Sequence, residues 1–323
     1  MKGSSGGGSG AGAPLNWSQA PSRLWGESPQ EPLDRFALRR LVREAGRRLE
    51  EAGVSSPEHD ARLLAEHVVG TSLVMCEGAD GEQVAHYLSL IGQRAERVPL
   101  QHLTGVMWFR GLELECRPGV FIVRPETEVV AGAAIEAARH MSADGVAAPL
   151  VVDLCTGSGA IALAVAAEVP RSRVVAVEVA DDAVDLARDN CERHAPGRVR
   201  LVQADAAAPT TLAELDGQVD VVVSNPPYVP DGALEDAETA DHDPHRALFG
   251  GGGDGLALPT ALVRRAVALL RPAGVLVMEH DAGQGAALRA AALGAGFTEA
   301  VTGQDLAGRD RYLRAVTERA SRA

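Results

Sequence analysis

Basic residues are in short supply in this 323-residue chain: 31 Lys and Arg stand against 44 Asp and Glu, for a formal net charge of −13. Bulk electrostatics therefore give no support to a broad duplex-binding surface, and no nucleic-acid partner is expected. Only four cysteines occur, Cys76, Cys116, Cys155 and Cys191, widely spaced and without a C-x-x-C pair. Such spacing speaks against a disulfide framework or a thiolate metal site and predicts reduced, mostly buried thiols. His242 and His245 lack a third ligand at suitable spacing, so they read as loop histidines and no metal is expected. No run approaches the roughly 18 apolar residues of a membrane span, and the amino terminus has no apolar signal region. A cytoplasmic protein without a membrane partner is the resulting expectation.

The length suits one large or two modest domains, and hydrophobic residues, 46% of the chain, are enough to build cores. The opening "MKGSSGGGSGAGAP" is Gly/Ser-rich, and residues 1–33 read as a flexible segment outside the fold. Residues 34–105 carry helical patterning. "FALRRLVREAGRRLEEAG" repeats apolar or small residues at three-to-four spacing and stops at Gly53, and "SSPEHDARLLAEHVVG" restarts at Pro57 and ends at Gly70. Residues 106–126 form a bridge, in which "MWFRGLELECRPGVFIV" alternates partly and turns at Gly111 and Pro118-Gly119, as a β-hairpin or short strands would.

From 127 to 320 the rhythm becomes strand, helix, strand, helix. "PLVVDL", "RVVAVEV", "RVRLVQA", "DVVVSN" and "GVLVMEH" alternate with helical stretches, which implies a mostly parallel sheet covered on both faces. "FTEAVTG" and "RYLRAVT" read as an antiparallel end pair.

Three successive strand ends carry small or acidic residues. "DLCTGSGAIALAVA" leaves the first strand at Asp153 through a turn in which Gly157 and Gly159, lacking a β-carbon, let the main chain bend tightly and approach a ligand. Glu178 ends the next strand about 20 residues on, where a carboxylate can accept both hydroxyls of a ribose. Asp205 ends the third, at a height where it can accept from the exocyclic amine of adenine. The turn lacks the third glycine of G-x-G-x-x-G and a Walker lysine, so a cofactor without a diphosphate suits it better, and S-adenosylmethionine is the expected one.

The fourth strand ends in "SNPPYVP". Pro226 and Pro227 lack donors and cannot continue a central ladder, so Asn225 and Tyr228 are displayed at the carboxyl edge of the sheet, where α/β folds bind ligands. Asn225 Oδ1 and the Pro226 carbonyl can accept the two N–H bonds of a planar nitrogen while Tyr228 stacks on its face. Such a corner suits a glutamine amide, adenine N6 or cytosine N4 alike. The glycine run 250–253 reads as a mobile loop near the cleft, with Asp254 and Gly255 opening the next helix.

The motifs "PLQHLTG", "RPETE", "DLCTGSGAIALA", "NPPY" and "DLAGRDR", in this order over residues 34–317, resemble the HemK/PrmC family of protein-(glutamine-N5) methyltransferases. That resemblance implies a class I S-adenosylmethionine-dependent methyltransferase, an α/β Rossmann-like fold with a mostly parallel sheet and an antiparallel end strand. A small helical domain for substrate and a short β-hairpin linker would precede it. It also implies class I peptide chain release factors as partners and their Gly-Gly-Gln glutamine as acceptor. Motif by motif, Asp153, Cys155, Thr156, Gly157, Ser158 and Gly159 would line the methionine and ribose side, Glu178 the ribose hydroxyls, and Asp205 with Ala206 the adenine. Asn225, Pro226, Pro227 and Tyr228 would grip the acceptor amide, with Asn225 also touching the cofactor. The chain departs from the family pattern in Cys155 for a glycine, Glu178 for the more frequent aspartate and Val123 for a proline. Glutamine in another protein such as a ribosomal protein, N6-adenine in nucleic acid, and a non-catalytic cofactor-binding role stand as alternatives.

Overall fold

The computed structural model describes residues 31–233 and 237–318, so the Gly/Ser-rich segment read over residues 1–33 lies almost wholly outside the described residues. Two compact units divide between Leu103 and Thr104.

The first unit is helical. Its helices are α1 (Arg35–Glu51), α2 (Pro57–Val69) and α3 (Gly81–Ala95), and β1 (Leu33–Asp34) pairs with β2 (Gly78–Ala79). Asp34 starts α1 by accepting from the N–H groups of Phe36 and Ala37, and Asp80 with Gln83 closes a reciprocal capping box at the start of α3. Both caps satisfy backbone donors that a helix start leaves open. Leu38, Leu41, Ala45 and Leu49 of α1 share one core with Leu64, Tyr87 and Ile91. Inside this unit Arg94 Nε donates to Asp60 Oδ2 at 2.8 Å with both side chains buried, an arrangement in which losing either partner strands a charge. The short α4 (Leu100–Thr104) follows.

The second unit opens with a hairpin, β3 (Val106–Phe109) against β4 (Leu112–Glu115). Its two-residue turn has Arg110 at φ 46° and Gly111 at φ 79°, the paired positive angles that match the twist of a tight hairpin. Strand structure ends at Glu115, short of the 107–123 range that alternation alone suggests. Val120 and Ile122 are buried through packing: Val120 sits against Ala183 and Leu186, off any ladder.

The remaining elements are α5 (Thr127–Ala143), β5 (Leu150–Leu154), α6 (Ala160–Glu168), β6 (Arg173–Glu178), α7 (Asp181–His194), β7 (Val199–Gln203) and β8 (Val219–Ser224). They are followed by α8 (Ala237–His242), α9 (His245–Leu248), α10 (Ala257–Leu269), β9 (Leu270–Glu279), α11 (Gly285–Ala295), β10 (Phe297–Gln304) and β11 (Asp310–Thr317). Seven strands form one sheet in the order β10-β11-β9-β8-β5-β6-β7, parallel except where β11 runs antiparallel to both of its neighbours. The side-chain period of two divides the strands between two cores. Val151, Val221, Val223 and Val277 pack with α5 and α6 on one face, and Val152, Leu154, Val222, Leu276 and Met278 pack with α10 and α11 on the other. From β5 the chain builds outward to β7, then returns to lay β8 on the other side of β5. The order reverses there, so the loops leaving β5 and β8 diverge and open a crevice at their carboxyl ends. Among the described residues no helix is long and apolar enough to cross a membrane.

Candidate active site

A cavity of about 570 Å³ occupies that crevice, bordered by the turns after β5, β6, β7 and β8. Its volume falls in the range of small-ligand sites. Of the residues singled out by sequence, Cys155, Thr156, Gly157, Ser158, Glu178, Asp205, Ala206, Asn225, Pro226, Pro227 and Tyr228 all line it. Asp153 and Gly159 do not.

Asp153 instead lies under the glycine turn, fully buried at the end of β5. Its Oδ2 accepts from the Thr156 hydroxyl at 2.6 Å and from the Ala162 N–H at 3.1 Å, tying the turn to the first turn of α6. Burial pushes its carboxyl up to about 7, against the pull of those two hydrogen bonds, and its Oδ1 has no partner. Gly159 caps α6 at φ 85°, where a β-carbon would come 3.6 Å from the Ala187 β-carbon. Gly157, at φ 57°, meets nothing within 4 Å of such a carbon: its missing side chain leaves bare backbone facing the cavity. Cys155 adopts φ 61°, a left-handed conformation costing a residue with a β-carbon about 1–2 kcal/mol, which explains why glycine suits this position. Its thiol is pushed up by desolvation and by the nearby Glu178 and Asp153 carboxyls, which disfavours the nucleophilic thiolate.

Glu178 reaches back to the same turn. Its Oε2 accepts from the Gly157 N–H at 2.9 Å and its Oε1 from Val179 and Ala180 at 2.8 and 3.0 Å. Three of about four lone-pair directions are thereby used, and the carboxylate lies 9% exposed on the cavity wall. Asp205 is exposed, and Ala206 is packed into the core under the rim.

On the β8 side, Ser224 Oγ donates to the Leu154 carbonyl at 2.7 Å and fixes the strand end against β5. Asn225 Nδ2 donates to Thr127 Oγ1 at 3.1 Å. Tyr228 donates its hydroxyl to Glu279 Oε1 at 3.2 Å, and Gln284 Nε2 donates to the Tyr228 carbonyl at 2.8 Å. The glycine run begins against that turn, where the Gly250 N–H donates to the Val229 carbonyl at 3.0 Å. Gly250 and Gly255 press on the N-P-P-Y backbone so closely that a β-carbon would stand 2.8 Å from the Pro227 carbonyl oxygen and 2.2 Å from that of Tyr228. The following helix begins at Ala257, with Asp254 accepting from the Leu256 N–H instead of capping it.

Sequence reasoning assigned no role to Thr127, Glu279, Arg124 or Arg311, all on the wall. "RPETE" and "DLAGRDR" were the available signals. Arg124 Nη2 donates to Asp243 Oδ2 at 2.5 Å and to Thr239 at 2.9 Å, while Asp305 folds the tail loop by accepting from the Ala307 and Arg309 N–H groups and from Arg311. Burial raises the Glu279 carboxyl to about 7, opposed by Thr127, Tyr228 and Arg311.

Bare backbone at Gly157, a carboxylate beside it and an amide-bearing turn across the crevice define a class I S-adenosylmethionine-dependent methyltransferase, and the open face at Gly157 accommodates that cofactor. Family models agree over most of the chain: a PrmC N-terminal domain matches residues 40–105 and a methyltransferase small domain residues 113–241. A release factor glutamine methyltransferase of Bifidobacterium longum is 45% identical over 86% of this chain and 98% of that protein. One from Streptomyces coelicolor is 51% identical over 76% of this chain and 85% of its own length, and one from Mycolicibacterium smegmatis 44% identical over 86% and 97%. The chain belongs to the release factor glutamine methyltransferase family.

Proposed function

We propose that this protein transfers a methyl group from S-adenosylmethionine to N5, the side-chain amide nitrogen, of the Gly-Gly-Gln glutamine of class I peptide chain release factors. The observation that carries the acceptor chemistry is the setting of Asn225. One of its two Nδ2 N–H bonds goes to Thr127 at 3.1 Å, an orientation that leaves Oδ1 as its acceptor for an N–H in the cavity it shares with Gly157. An amide nitrogen is a poor nucleophile because its lone pair is delocalised into the carbonyl. Bound S-adenosylmethionine supplies a methyl group activated by a sulfonium, and the protein's part is orientation and water exclusion. Asn225 Oδ1 and the Pro226 carbonyl hold the two amide N–H bonds, fix the amide plane and draw electron density toward nitrogen; as the methyl passes from sulfur to nitrogen the neutral thioether leaves, and one of the two amide protons is released to solvent. Tyr228 covers the amide face, and Pro227 stiffens the turn. Positioning and preorganised dipoles of this kind supply several kcal/mol without a strong base.

On the cofactor side, Cys155, Thr156, Gly157 and Ser158 border the methionine and ribose, Glu178 accepts from the ribose, and Asp205 with Ala206 borders the adenine. Asp153 and Gly159 support that turn from behind. The helical unit, residues 34–105, is assigned to release-factor recognition, and the hairpin 106–126 to the bridge. Incubation with labelled S-adenosylmethionine and a panel of release factors, ribosomal proteins and DNA tests the reading. Label confined to release factors is the expected result, and label in ribosomal protein or DNA instead overturns it.

A further inference from the structure

We infer that Gln284 is a positioning residue that holds Tyr228 where its ring covers the acceptor amide. The inference rests on the proposed covering role of Tyr228 and adds to it what keeps that residue in place.

Pro226 and Pro227 carry no N–H, so the turn after β8 makes few backbone bonds of its own and is held by its neighbours. The Val229 N–H donates to the Leu248 carbonyl at 2.8 Å and the Gly250 N–H to the Val229 carbonyl at 3.0 Å, which pins the chain just beyond the turn. At the end of β9, Glu279 Oε1 accepts from the Tyr228 hydroxyl at 3.2 Å. Gln284 completes the hold: its Nε2 donates to the Tyr228 carbonyl at 2.8 Å and to the Asp254 carbonyl at 2.8 Å.

The setting of Gln284 shows what its side chain is for. It occupies the N-cap of α11, where a polar side chain ordinarily accepts from the first helical turn, yet it makes no capping bond. It lies 6% exposed, and its Oε1 accepts from the Asp281 N–H at 3.1 Å, which fixes the nitrogen end of the carboxamide toward the turn. A carboxamide nitrogen has two protons, and both go to main-chain carbonyls, 56 and 30 positions away in sequence. A carboxylate or a thioether of the same length supplies neither. Among the described residues that build the cavity wall, Tyr228 is present and Gln284 is not, so Gln284 acts through Tyr228.

Tyr228 is thus gripped at both ends, its carbonyl by Gln284 and its hydroxyl by Glu279. Without the carbonyl hold, two buried-side acceptors lose their donor and residue 228 shifts, taking with it the Pro226 carbonyl two positions back. The side-chain bonds of Gln284 lie on the β8–β9 side of the sheet, whereas the glycine turn and Glu178 follow β5 and β6. Its loss therefore falls on the acceptor and spares the cofactor.

The test uses Gln284→Met, which keeps length and bulk and removes both donors; a side chain that only fills space would tolerate it. The chain has three tyrosines, Tyr87, Tyr228 and Tyr312. Their ring ¹³C–¹H signals are recorded on selectively labelled protein without substrate, and that of Tyr228 is assigned by its loss in Tyr228→Phe. In Gln284→Met the Tyr228 signals should shift or broaden while those of Tyr87, in the core of the helical unit, stay in place. With a release factor and saturating S-adenosylmethionine, kcat should fall roughly tenfold to a hundredfold, the scale of a small misplacement at a reacting centre. S-Adenosylmethionine affinity should stay within about twofold. Gln284→Glu, which puts an acceptor in place of the donor nitrogen, should show the same pattern, and it decides should Gln284→Met fail to fold. Unmoved Tyr228 signals, or wild-type kcat, in the folded variant overturns the inference. A wild-type protein that methylates no release factor sinks the proposed acceptor instead, and the tyrosine signals still decide this inference.

Discussion

Glu178 Oε2 accepts from the Gly157 N–H at 2.9 Å, joining the acid at the end of β6 to the glycine turn at the end of β5. The extra methylene relative to aspartate is what lets the carboxylate span that gap while its other oxygen holds Val179 and Ala180. Glu178→Ala should therefore weaken S-adenosylmethionine binding by about 1.5–3 kcal/mol, the worth of hydrogen bonds to a charged group. Activity should recover substantially at saturating cofactor. Calorimetric titration checks this, and an unchanged dissociation constant returns Glu178 to the ordinary strand-end acids.

Asp153 makes the sheet unit sensitive to pH. Its carboxyl sits at about 7 against an ordinary 3.8, so the folded state holds a proton that the unfolded chain gives up earlier. That contribution is complete below the unfolded value and is lost as pH rises through the folded one, on the order of 4 kcal/mol in all. Glu279 acts with the same sign, whereas His67 and His280, whose lowered values favour the neutral ring, act oppositely below the usual histidine range. The comparison that isolates the effect is Asp153→Asn against wild type in urea melts at mildly acidic and mildly alkaline pH. The stability difference between the two proteins should shift toward the variant as pH rises, and a shift the other way contradicts the assignment.

Cys155 offers a stability gain. Glycine removes the left-handed strain but adds about 0.5–1 kcal/mol of chain entropy, so Cys155→Gly should stabilise the sheet unit by about 0.5–1 kcal/mol. A thermal melt shifted upward by a few degrees is the readout. A lowered melting point would mean that packing of the thiol outweighs the strain.

Among the described residues, the cavity wall is built from residues 119–311, all within the second unit. A glutamine side chain alone offers too little surface to select one protein, so selection has to come from contacts remote from the amide. A chain beginning near Gln101, once circular dichroism and a melt show the sheet folded, should keep cofactor affinity within about twofold yet lose about a hundredfold in kcat/KM on intact release factor. Full-length rates from the folded shortened chain would remove the helices from recognition.

Strand ends were legible because each apolar run stops abruptly at a small or polar residue: β5 at Cys155, β8 at Asn225, and the antiparallel pair β10 and β11 from their β-branched runs. Period and breaker residues are local properties, and they survive folding. Thr127 was not legible, since it lies 98 positions from Asn225 and meets it only when α5 packs on the sheet. Glu279 reads in the sequence as one more strand-end acid, and only the packing around it reveals an enclosed carboxyl. The close approach at the glycine run was illegible for a related reason. Glycine permits both looseness and close approach, and at Gly250 and Gly255 the neighbouring N-P-P-Y backbone demands the second.

Asn225 and the Pro226 carbonyl are proposed to orient a glutamine amide for methylation at N5. The most direct test of this role is peptide mapping by tandem mass spectrometry of a release factor after single-turnover reaction with the wild type and with Asn225→Ala, each saturated with S-adenosylmethionine. The wild type should add one methyl group on N5 of the Gly-Gly-Gln glutamine, and the variant should transfer it slower by roughly two or more orders of magnitude, at nearly unchanged cofactor affinity. A methyl group on any other atom, or near-wild-type transfer by Asn225→Ala, would contradict it.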